Sequence, residues 1–157
     1  MKPLFTHLAT IRWHNSGPDF LKRKYSREHT WHFDGGSTIP ASPSPHVVAA
    51  PWSNASSVDP EEAFVASVAS CHMLWFLHVA IDAGFEVKSY EDKATGEMTR
   101  NETGMLWIST IILKPTICWG GTQQPAMDQV SSLHHLAHQQ CFIANSIRTH
   151  IIINDVL

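Results

Sequence analysis

Hydrophobic and polar positions change rhythm several times along this 157-residue chain, and one stretch dominates the pattern. From Asp59 to Gly84, DPEEAFVASVASCHMLWFLHVAIDAG, Ala, Val, Leu, Ile, Met and aromatic residues fall on nearly every helical face. Asp59 can cap a helix, Pro60 suits its first position, and Glu62 stands where a capping box places its return acceptor. Gly84 supplies a left-handed exit. These signals predict a helix of about 24 residues, roughly 36 Å long. Apolar almost all round, it must be covered on every face, by its own sheet and by a second copy of itself.

The flanking rhythms are shorter. ATIRWHN alternates like a strand and closes at the turn NSGP. FLKRKYSREHTWHF, residues 20 to 33, ends at DGG, a hairpin signal, so the N-terminal part reads as a meander. Residues 37 to 58 are rich in Pro and Ser and read as a surface connection in which only HVVAA can be a strand. After Gly84, FEVKSYEDKATGEM predicts a strand running into a turn at ATG. MLWISTIILKPTICW predicts a long strand broken at Pro115, and together these two segments suggest an antiparallel pair. Met127, Val130, Leu133, Leu136 and Ala137 repeat with a 3.6-residue period, which predicts a second helix over 125 to 140. IRTHIIIND closes as a strand. The order of strands, long helix, strands, helix and strand predicts an α+β fold, as a single domain over residues 1–157.

Composition narrows the classes. With 43% hydrophobic and 16% charged residues the chain is globular rather than disordered. A net charge of -3 and no long Lys/Arg run leave no electrostatic footprint for nucleic acid. Lys22, Arg23, Lys24 and Arg27 form one local basic cluster. The start, MKPLFTHLATIRW, does not read as a signal peptide. Ser67, Ser70, His72, His78 and Asp82 dilute the long helix, so no membrane span is expected. Three widely spaced cysteines make no disulfide framework, and a cytoplasmic location is the default.

Three groups of residues could carry chemistry. Cys71, in the middle of the apolar helix, stays an inert thiol unless something stabilises its anion. Cys141 follows the second helix; the two could pair if their Cα atoms lie within roughly 4.4–6.8 Å, or could be unrelated core cysteines. His134, His138 and Cys141 fall at i, i+4 and i+7, a face that could bind a transition metal or be merely histidine-rich. Arg27 with Glu61 or Glu62 makes, taken alone, a surface ion pair. Cys118 reads as core or edge packing.

DPEEAFVASVASCHM resembles the signature of the OsmC/Ohr family of thiol-dependent peroxidases, in which a Pro-Glu-Glu helix start precedes a cysteine ten residues after the first glutamate, here Glu61 and Cys71. AHQQCFIANS is similar to the family segment that carries the second cysteine, Cys141. Phe142 departs from the pattern, since many members have proline there, and the N-terminal meander is longer than in the shortest members. The resemblance implies an OsmC-like fold, antiparallel sheets packed around a long central helix in an intertwined homodimer. It also implies an enzyme without a cofactor, reducing organic hydroperoxides.

The implied roles have a physical logic. A thiolate at Cys71 attacks the peroxide O–O bond and becomes a sulfenic acid, releasing an alcohol; Cys141 then condenses with it to a disulfide, which an external dithiol reduces. A cation must offset the desolvation of that thiolate. Arg27 is assigned this part, with Arg12 and Arg23 as rivals, and Glu61 is assigned to hold the guanidinium. Trp75, Phe76 and Phe142, with Trp52, would favour an apolar hydroperoxide. Ten residues of helix separate Glu61 from Cys71 by about 15 Å and roughly 280° of rotation, so both serve one site most simply if the glutamate comes from an antiparallel second subunit. The competing reading is a non-enzymatic metal or small-ligand binder using His134, His138 and Cys141.

Overall fold

The computed structural model describes residues 3–154. The chain forms two compact units, one up to Ala63 and one from Phe64 onward.

In the first unit, β1 (Ala9–Arg12), β2 (His29–Phe33) and β3 (Thr38–Ala41) make an antiparallel meander in that order. The register sets Ile11 opposite Trp31 and Trp31 opposite Ile39, one row of large side chains across the sheet. The hairpin signal is realised between β2 and β3: Gly36 takes φ 87° and its N–H donates to the Phe33 carbonyl at 3.0 Å. The expected HVVAA strand does not form. The Val47 and Val48 N–H groups both donate to the Ser44 carbonyl at 2.9 Å, so the segment coils into turns. Pro43, Pro45 and Pro51 surround it and deny a ladder its donors. One isolated parallel bridge, Ala41 to Val58, ties the connection back to the sheet.

The long helix is α1 (Pro60–Asp82). Its capping box is complete: the Glu62 N–H donates to Asp59 Oδ1 at 2.7 Å and the Asp59 N–H donates to Glu62 Oε2 at 3.2 Å. It ends where Gly84 takes φ 81° and the Phe85 N–H reaches back to the Ala80 carbonyl at 2.9 Å, a Schellman closure.

In chain order the second unit continues with β4 (Val87–Asp92), β5 (Thr95–Arg100), β6 (Leu106–Leu113), β7 (Pro115–Trp119), α2 (Met127–Gln140) and β8 (His150–Ile153). β4 pairs antiparallel with β7, and β5 with β6. The expected turn at ATG falls instead inside the start of β5, where Gly96 pairs with Ile111. A Cβ at Gly96 would lie 2.6 Å from Val65 Cγ2, so glycine is there to let the strand approach the helix, not to turn the chain. One pairing is not antiparallel: β8 runs parallel to β6, because β7 and α2 form the crossover that a parallel neighbour requires. Lys114, just before Pro115, divides the long C-terminal strand, and its two halves join different sheets.

α1 buries one stripe spaced by four, Val68, His72, Phe76 and Ala80. Val68 packs with Ile111 and Leu113 of β6; Phe76 and Ala80 pack with Phe85 and with Leu133 and Ala137 of α2. The expected cover on every face is therefore only partial within the chain, since Leu74 and Ile81 are 60% and 71% exposed. By length and composition α1 could cross a membrane, but it holds a sheet on each half of its buried stripe.

Candidate active site

Cys71 and Cys141 meet in the second unit. Cys71 projects from the middle of α1 and is half-buried; Cys141, 1% exposed, sits where α2 ends and the backbone turns to φ -64°, ψ 113°. The Cys141 N–H closes the helix on the Ala137 and His138 carbonyls at 3.0 and 3.3 Å. Burial first, and then the neighbouring Cys71, push the Cys141 thiol up to about 11 against the opposing pull of the Ala144 and Ile143 N–H groups. Ala144 N–H lies 3.4 Å from Cys141 Sγ. The pair is thus unequally placed, with Cys141 buried and holding its proton at neutral pH beside the half-buried Cys71.

Cys71 faces a cavity of about 540 Å³ whose walls are mostly apolar: Leu74, Trp75, Phe142 and Ile143, with Ser67, Ser70 and His78. The rings of Trp75 and Phe142 meet edge to face, 5.4 Å apart at 88°, and His78 stands edge-on to Trp75 at 5.5 Å. His78 Nε2 in turn lies 3.6 Å from Asp82 Oδ2. Trp75 and Phe142 therefore stand at the cavity as expected, whereas Phe76 turns into the core and is fully buried. Its position in the four-residue stripe decides that. Trp52 belongs to the first unit and is half-buried there.

Behind the cysteines lies a feature the sequence reading missed. His72 and His134, 1% and 3% exposed, stack with rings 5.3 Å apart at 8°, and His72 Nε2 is 3.0 Å from His134 Nδ1. His134 also lies on the Phe76 ring at 4.3 Å. Burial, then the neighbouring His134 and His138, lower His72 to about 3, so it is neutral in the folded protein. The spacing of His72 by four from Val68 and Phe76 was the available signal. His134 is thus engaged with His72 and Phe76 of α1. Among the described residues no group of three or more His, Cys, Asp or Glu side chains is arranged to hold a metal ion.

Arg27 and Glu61 both lie in the first unit. Arg27 is half-buried, its guanidinium 4.1 Å from the centre of the Tyr25 ring, and Nη1 donates to the Tyr25 carbonyl at 3.2 Å. It lines a cavity of about 480 Å³ with Ile11, Trp13, Phe20 and Pro60. Arg12 and Arg23 are exposed. Glu61 is half-buried in the first turn of α1, and among the described residues no ion pair joins it to Arg27. Cys118, expected at a core or edge position, is an exposed thiol on β7.

The chain matches known proteins in sequence and in fold. The model of the OsmC-like protein family matches residues 53–154. An OsmC-like protein of unknown function from Vibrio cholerae is 44% identical over 98% of this chain and 100% of its own, with a TM-score of 0.94. At the level of the fold, two more distant structures agree. One is an organic hydroperoxide resistance protein OsmC from Legionella pneumophila, 18% identical, covering 99% of this chain and 100% of its own, TM-score 0.68. The other is the organic hydroperoxide resistance protein OhrB of Bacillus subtilis, 18% identical, covering 98% and 100%, TM-score 0.65. No curated protein sequence matches the chain. With a family model aligned to most of its length and a 44% identical relative over nearly all of it, the chain belongs to the OsmC-like protein family.

Proposed function

We propose that this protein is a cysteine-based peroxidase that reduces organic hydroperoxides to alcohols at the expense of an external dithiol. The observation that carries the reading is the meeting of Cys71 and Cys141, of which only Cys71 faces an apolar cavity. In the first step the Cys71 thiolate attacks the terminal peroxide oxygen; the O–O bond breaks, a sulfenic acid forms, and the alkoxide takes a proton and leaves as the alcohol. Cys141 then gives its sulfur to Cys71 and its proton to the departing hydroxide, so that a disulfide and water result. Two thiols of the reductant restore the pair. The aromatic wall of Trp75 and Phe142 suits an apolar hydroperoxide better than hydrogen peroxide.

The direct test is to mix reduced protein with an organic hydroperoxide and weigh its tryptic peptides. A linked pair carrying Cys71 and Cys141 is expected, and oxidised Cys71 without that link would overturn the proposed resolution.

Arg27 is our choice for the group that stabilises the Cys71 thiolate, because it is the half-buried one of the three candidate arginines, and Glu61 for the carboxylate that orients it. The unpartnered apolar residues of α1, Leu74 and Ile81, support a homodimer built on that helix, with Glu61 serving the partner's site. Sedimentation at micromolar concentration should give twice the chain mass, and mixing inactive Cys71→Ser with inactive Glu61→Ala chains should restore part of the activity. A stable, active monomer would end the dimer proposal. The three free thiols suit a reducing, cytoplasmic setting, with no membrane or nucleic acid as partner.

A further inference from the structure

The turn after α2 holds Cys141 by an arrangement that the peroxidase reading leaves unused. A helix end commonly closes on a left-handed glycine, but here Phe142 follows Cys141, and the last carbonyls of α2 need other donors. Asn145 supplies them. Its Nδ2 donates to the Gln139 carbonyl at 2.9 Å and to the Cys141 carbonyl at 3.0 Å, and its backbone N–H donates to the same Cys141 oxygen at 3.0 Å. Next to it, the Ala144 N–H points at Cys141 Sγ and Ser146 Oγ donates to the Phe142 carbonyl at 2.7 Å. Residue 141 is therefore gripped at its N–H, its carbonyl and its sulfur within one turn.

We propose that Asn145 is a positioning residue for Cys141: by clamping the carbonyls on either side of the helix end it fixes the backbone from which the Cys141 sulfur reaches Cys71. The side chain fits this part by its chemistry. An amide nitrogen carries two hydrogens, one for each carbonyl, while a carboxylate at neutral pH has none. Asn145 itself is exposed, and when its side chain is removed the Cys141 carbonyl still accepts from the backbone N–H of residue 145. What is lost is orientation, and orientation sets how often the second sulfur meets the first. The bond that forms is Cys71 Sγ to Cys141 Sγ. In a thiol–disulfide exchange with glutathione disulfide the S–S bond of the latter breaks, two glutathione thiols are released, and the protein pair loses two electrons.

This inference rests on Cys71 and Cys141 being a redox pair, and it is testable without peroxide. Full-length reduced protein is equilibrated against glutathione buffers of graded ratio, free thiols are alkylated, and the fraction of Cys71–Cys141 disulfide is read by mass. Asn145→Ala should lower the equilibrium constant for the disulfide about tenfold, a shift of about 30 mV for a two-electron couple. Under excess hydroperoxide the same variant should accumulate more Cys71 sulfinic acid. Ser132→Ala, which removes only the bond from Ser132 Oγ to the Asp128 carbonyl in the first part of α2, should change neither reading. Asn145→Ser, which keeps one side-chain donor, should fall between and serves if Asn145→Ala does not fold. An equilibrium constant unchanged or raised in the Asn145 variants overturns the proposal. A glutathione shift without any hydroperoxide-driven disulfide would leave Asn145 in place and sink the peroxidase reading instead.

Discussion

Replacing Cys71 by Ser should reduce hydroperoxide consumption to background, a loss on the order of 10³-fold or more, because the hydroxyl offers no accessible anion for attack on an O–O bond. Cys141→Ser should behave differently. Its Cys71 still faces the cavity, so about one equivalent of hydroperoxide per chain is consumed in forming the sulfenic acid, catalytic turnover stops, and a second, slower equivalent carries Cys71 to sulfinic acid. The asymmetry of the pair predicts this order of roles: the buried thiol at Cys141, held near 11, is a poor first nucleophile at neutral pH. Stopped-flow peroxide consumption, with peptide mass for the oxidised product, separates the two variants. Sustained turnover in Cys71→Ser, or an inert Cys71 in Cys141→Ser, would reverse or remove the assignment.

Acid should unfold the protein through His72. Its folded value of about 3 lies below the unfolded value of 6.5, so between those limits the unfolded chain binds a proton that the native state refuses. Stability is then full above pH 6.5 and falls by about 1.4 kcal/mol per pH unit below it, on the order of 4–5 kcal/mol near pH 3. That loss is comparable to the whole stability of many domains. Asp92 works in the other direction: burial raises its carboxyl despite the Lys114 N–H bonded to it, so protonation returns some stability as the pH falls. At the alkaline end Cys141 adds a second slope. Its native thiol keeps a proton between about 9 and 11 that the unfolded chain gives up, so stability declines across that window. Denaturant midpoints measured from pH 3 to 11 should trace a dome, and His72→Gln should lose about one proton's worth of slope on the acid side. An acid limb equally steep in His72→Gln would mean that other groups carry it.

The amino-acid sequence by itself determined the elements whose signals are local. The capping box at Asp59 and Glu62, the exit at Gly84, the DGG hairpin and the period of Met127 to Ala137 all act within a few residues, and each appears where its pattern lies. The α+β class followed from their order, and the candidate cysteines from the resemblance carried by DPEEAFVASVASCHM and AHQQCFIANS. Tertiary structure decided what local pattern leaves open. HVVAA has strand composition but no partner edge among its prolines, and Gly96 reads as a turn until Val65 is seen against it. The stacking of His72 on His134 joins residues 62 positions apart, as the meeting of Cys71 and Cys141 joins residues 70 apart, and no periodicity reaches across such distances. Above all, α1 is apolar on nearly every side, so its sequence does not say which side faces inward. Only the sheets packed on Val68 and Phe76 choose that stripe, and with it they place Cys71 beside the core, open to the cavity on one side and next to Cys141.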